Sequence, residues 1–174
     1  SAPGATDDFR ELPRPLFIGA SDQDARERVL FGAEGLAEVP ISTAVQASLS
    51  INPAFSAVRI GERWYEDGAV TRTSDFAEAV RRGATLVFVL DPFLPWVSDD
   101  PGTVNQRGML YNVDQDLRSL SWTRFERSRN WVLRRHPEVS SYTFVPGNRL
   151  RQLLSKNPMD HRPFCAIWRG AYLS

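Results

Sequence analysis

Apolar and polar residues alternate on both sides of Gly61-Glu62, so "SAVRI" and "RWYED" predict a β-hairpin with a Gly-X turn. Upstream, "LFIGA" (16–20) and "RERVLFG" (26–32) read as two strands joined by the polar "SDQDA". In "VPISTAVQASLSI" the pattern changes to helical spacing. Pro40 suits the start, Ile41, Val45 and Leu49 fall on one face, and Asn52-Pro53 stops the helix. "SDFAEAVRRG" predicts a helix over 74–82, capped by Ser74 or Asp75 and closed by Gly83. The unbroken apolar run Leu86 to Leu90 predicts a strand covered on both faces, as in a parallel sheet, so helix and strand together form half of a βαβ unit. Residues 104–135 read mostly as helix, with Leu110, Val113, Leu117 and Leu120 on its apolar stripe. "SSYTFVP" predicts a strand, "NRLRQLLS" a short helix and 163–173 a closing helix, whereas residues 1–15, with Pro3, Pro13 and Pro15, form an irregular lead-in. The class is α/β, without internal repeats.

Composition narrows the function classes. A chain of 174 residues that is 42% hydrophobic, with five Trp and ten Phe, buries a core rather than staying disordered. Zero formal charge and a pI near 6.7 supply no global field for nucleic acid. No run approaches the roughly 20 apolar residues of a membrane span, and no signal peptide is visible, which favours a cytoplasmic or peripheral-membrane address. The single Cys165 excludes an internal disulfide and, within "RPFCAIWRGAYL", reads as a small buried core residue. His136 and His161 lack metal-ligand spacing, and Asp22 to Asp24 match a calcium loop only at its start, so no metal site is predicted. Dinucleotide and Walker fingerprints are missing, so no cofactor is expected. "SWTRFERSRNWVLRR" reads as a helix packing Trp122, Phe125 and Trp131 inward with its arginines solvated; a lipid-facing surface is the second reading.

The hairpin ends on Asp67-Gly68-Ala69. Asp-Gly is a common turn, yet a carboxylate at a strand end also projects where α/β folds place their sites, with Gly68 letting the backbone turn away. Spacing alone leaves both readings open.

A resemblance favours the second. Residues 39–91, from "VPISTAVQASLSINPAF" through "RWYEDGAV" to "LVFVLD", resemble the second half of a patatin-like phospholipase domain. Ala44, Ala47 and Ser48, then Pro53 and Phe55, then Asp67-Gly68-Ala69 and Gly83 fall in that family's order; the similarity covers roughly residues 15–92. It implies a three-layer α/β/α fold with a central, mostly parallel sheet, of which this chain carries the C-terminal part: lead-in 1–15, catalytic-domain part 16–92 and helical/strand extension 93–174. It also implies a Ser–Asp dyad acting on lipid esters, with Asp67 as general base and Gly68 and Ala69 completing its motif. The sequence departs from the family in "VTRTSDF" after the motif. It departs further in having no G-x-S-x-G elbow, since no two of its eleven glycines lie four apart, and no Gly-rich oxyanion loop. Ser48 and Ser50 fall in a helix without elbow geometry. Nucleophile and oxyanion hole are therefore expected from an N-terminal portion of the same domain, the chain's principal partner beside a lipid ester and a membrane surface. Two other readings remain: a non-catalytic interaction or regulatory module on the same scaffold, and an unrelated α/β domain in which "EDGA" is only a turn.

Overall fold

A computed structural model describes residues 6–33, 35–52, 54–155 and 162–173; Pro3, Pro53, Lys156 and His161 lie outside them. The chain divides into two compact units, residues 1–75 and 76–174.

The first unit is a four-stranded sheet in the order β2-β1-β4-β3, formed by β1 (Ile18–Asp22), β2 (Arg28–Phe31), β3 (Val58–Ile60) and β4 (Arg63–Asp67), with helix α1 (Ile41–Ser48). Every pairing in this sheet is antiparallel. The expected hairpin is β3–β4, with Gly61 at φ 61°, a conformation that glycine adopts without a Cβ penalty. The Asp22–Asp24 stretch is the polar turn between β1 and β2. Asp22 Oδ1 accepts the Asp24 and Ala25 N–H groups at 3.0 and 2.9 Å, and Oδ2 meets Arg63 at 2.8 Å.

Phe9, Ala20, Phe31, Ala44, Ala47 and Tyr65 form the core of this unit. Phe31 and Tyr65 meet edge to face with centroids 5.3 Å apart. Here α1 corrects the sequence reading. Ala44 and Ala47 are fully buried and Ile41 packs beside them, while Val45 and Leu49 face outward. Two alanines on one face let the helix axis approach the sheet more closely than a Val–Leu face allows, and close packing outweighs the extra apolar area.

The second unit contains α2 (Phe76–Arg81), β5 (Leu86–Leu90), α3 (Met109–Arg135), β6 (Ser140–Phe144), α4 (Asn148–Leu154) and α5 (Phe164–Tyr172). Gly83, at φ 92°, closes α2 in a Schellman arrangement: its N–H reaches Val80 O at 2.9 Å and Ala84 N–H reaches Ala79 O at 3.0 Å. Strands β5 and β6 pair in parallel, Leu86 opposite Ser140 through Leu90 opposite Phe144. The protein is thus mixed α/β, with its parallel pairing confined, among the described residues, to these two strands. Val87 and Val89 pack on the second core of Phe76, Val80, Phe125, Val132 and Val139. Leu86, Phe88 and Leu90 are exposed, contrary to the expectation of a strand covered on both faces.

Helix α3 inverts its predicted stripe. Leu110, Val113, Leu117 and Leu120 are exposed, and the inward seam runs through Gln115, Arg118, Trp122, Phe125 and Val132. The polar members of that seam have specific partners. Gln115 Oε1 accepts the Trp96 N–H at 2.7 Å, and Arg118 donates to Asp114 at 2.8 Å and to Leu154 O at 3.1 Å. Trp131, expected inside with Trp122 and Phe125, is instead half exposed with the Arg135 guanidinium 3.7 Å from its ring centroid. Cys165, expected in the core, is exposed on α5, a short helix that buries none of its residues and whose close approach to α4 is at Gly170, beside Leu150.

Candidate functional site

Asp67 is the last residue of β4 and the N-cap of a single 3-10 turn, Gly68–Val70. Its backbone is fixed from two sides: Asp67 N–H donates to Ser50 O at 3.1 Å, and Asp67 O accepts the Ser21 hydroxyl at 2.9 Å. Oδ1 of the carboxylate accepts the Ala69 N–H at 2.8 Å, the capping bond of the turn. Among the described residues Oδ2 has no hydrogen-bond donor. Asp67 therefore fills the turn role with one oxygen and keeps the other free.

Gly68 is required for a reason the sequence did not reveal. The register places Ala20 opposite Asp67, and a Cβ on Gly68 would lie 2.6 Å from Gly19 O and 2.9 Å from Gly19 C. Those atoms belong to β1 and have no rotamer with which to retreat. Gly68→Ala is expected to part β1 from β4 and lower stability by about 1–3 kcal/mol, as over-packing does. Urea unfolding checks this; an unchanged midpoint would show that the β1–β4 contact yields easily.

A cleft of about 230 Å³ opens at this point, with Asp67, Gly68, Ser48, Arg28, Thr73 and Asp75 among its lining. Burial pushes the Asp67 carboxyl above its ordinary 3.8, the Ala69 N–H pulls the other way, and the Glu66 charge adds to the upward push. Glu66 itself is buried and held by Arg26 at 3.0 Å and Asn52 at 2.9 Å. No protein-family model and no curated protein matches this chain.

The structure brings Asp67, Gly68 and Ala69 together with Ser48, but not as a nucleophile and its base. Ser48 Oγ donates to Gly19 O at 2.7 Å, and Ser21 Oγ is held by Asp67 O and by Thr71 Oγ1 at 2.8 Å. Both hydroxyls fasten α1 and the 68–70 turn to β1. Sequence reasoning missed Arg28 and Asp75, which form an ion pair across the cleft with Nε 2.6 Å from Oδ1. They lie 47 positions apart and meet only because β2 and the chain after the turn converge on β1, so no local pattern could have announced them. Thr73 Oγ1, also in the lining, is buried without a hydrogen-bond partner among the described residues.

Proposed function

We propose that this chain is the general-base part of a serine lipid acyl hydrolase of the patatin-like phospholipase type, its serine and oxyanion hole supplied by a companion N-terminal portion. The observation that carries this reading is the Asp67 carboxylate: held by Ala69 through one oxygen, open at the other, and raised in basicity by burial in a cleft. In the proposed reaction Asp67 takes the proton of the companion serine as that oxygen bonds to the ester carbonyl carbon. It then returns the proton to the departing alcohol, leaving an acyl-serine. In the second half Asp67 takes a proton from water, hydroxide adds to the acyl carbon, and the fatty acid leaves as the serine recovers its proton. The three-layer α/β/α fold with a mostly parallel sheet belongs to the assembled domain. One feature supports such a companion: β5 and β6 form a parallel pair with one bare apolar face, whereas parallel strands are normally covered on both faces.

The test combines residues 1–174 with the polypeptide encoded upstream of them. Hydrolysis of a short-chain ester is followed together with labelling by a fluorophosphonate. Turnover only in the combined protein, with the label on a companion serine, is expected. Turnover by residues 1–174 alone would place the nucleophile within this chain. A folded combined protein with neither label nor turnover would favour the non-catalytic module.

A further inference from the structure

We propose that the α4–α5 hairpin is a docking surface for anionic lipid membranes. Phe164, Trp168 and Tyr172 recur every four residues along α5, so they form one stripe, and they are 67%, 66% and 80% exposed. Trp168 and Tyr172 stack with centroids 6.2 Å apart, and Leu173 continues the apolar surface. The opposite face of the helix is already committed: a Cβ on Gly170 would lie 3.2 Å from Leu150 Cδ1, which marks how closely α5 sits on α4. The outward stripe is therefore left over after the two helices have packed. Between them lies a cleft of about 670 Å³ that includes Leu150, Leu153, Leu173, Arg149 and Arg169 in its lining.

Charge selects the occupant. From Asn148 to Leu173 the sequence carries Arg149, Arg151, Lys156, Arg162 and Arg169 against one carboxylate, Asp160. Neither Arg149 nor Arg169 has an ion-pair partner among the described residues. Trp and Tyr beside arginines suit the boundary between headgroups and acyl chains, where amphipathic rings bury their bodies and basic side chains meet anionic phosphate. A second copy of the chain fits less well, because a two-fold contact would set cationic face against cationic face. The exposed stripe of α3 differs in kind: it is interleaved with Asp114 and Asp116, which an anionic surface would repel. This proposal stands apart from the hydrolase reading, since binding is measured with no ester turned over.

Flotation of the full chain with vesicles tests it, because bound protein rises while self-associated protein sinks. Vesicles of phosphatidylcholine alone are compared with vesicles holding about 30% phosphatidylserine. Binding is expected only with phosphatidylserine and is expected to weaken as salt rises. Trp168→Ala/Tyr172→Ala and Arg149→Gln/Arg169→Gln should each weaken binding about tenfold or more without lowering the melting temperature. Trp131→Ala, an exposed aromatic on α3, should leave it unchanged. No flotation of the wild-type chain, equal flotation with neutral vesicles, or full binding by both double variants would overturn the proposal. So would loss of self-association, rather than of flotation, in the aromatic variant.

Discussion

In the combined protein, Asp67→Asn loses about 10²–10⁴-fold in ester hydrolysis while the fold survives. The amide oxygen still accepts the Ala69 N–H, so the cap at Gly68–Val70 persists. What disappears is the proton-accepting charge. Stability separates this outcome from simple damage. Because burial raises the Asp67 pKa above 3.8, the folded state holds the proton more tightly than the unfolded chain. That contribution is fully present below 3.8 and is lost as pH rises through the folded-state value. Asparagine carries no such charge. At pH 7 the variant should therefore melt at or above the wild-type temperature, and its relative stability should grow as the pH is raised out of the acid range. Calorimetry across pH, alongside the hydrolysis assay, reads both effects. A well-folded variant with full turnover would reduce Asp67 to a turn residue.

Phe125→Ala is expected to cost about 3–5 kcal/mol, the range for deleting a large aromatic from a packed core. Phe125 is 2% exposed, lies with its ring 5.5 Å from that of Trp122, and joins the cluster of Phe76, Val80 and Val132. Trp131→Ala should cost about 1 kcal/mol or less, since what it removes is a half-exposed ring and its contact with Arg135. Urea midpoints of the two variants compare them directly. Equal losses would mean that Trp131 carries core energy after all.

The contrast shows where the sequence was legible. Local chemistry marked the hairpin through Gly61, the end of α2 through Gly83 and the placement of Asp67 at a strand terminus, because each depends on a few neighbouring residues. The inward face of α3 was not legible. Apolar periodicity pointed to Leu110 through Leu120, but the buried seam passes through Gln115 and Arg118, which are satisfied by Trp96 and Leu154, distant in sequence. A buried polar side chain looks like a surface residue until its partner is known. Helix α1 misled for a related reason: Ala44 and Ala47 contribute little hydrophobic signal, and their value is the closeness they allow. At the site, Asp67-Gly68 was visible as a dipeptide, whereas the need for Gly68 arises from Gly19, a backbone neighbour brought in by the β1–β4 register.

The capping bond at Asp67 also has a stereochemical consequence. An oxygen that already accepts an N–H is the poorer place for a proton, so the Ala69 amide distinguishes two otherwise equivalent carboxylate oxygens. Protonation is directed to Oδ2, and the capping bond need not break when it happens. The turn keeps the same shape whether the side chain is charged or neutral. Asp67 can thus change its ionisation state repeatedly without the backbone of residues 67–70 having to follow.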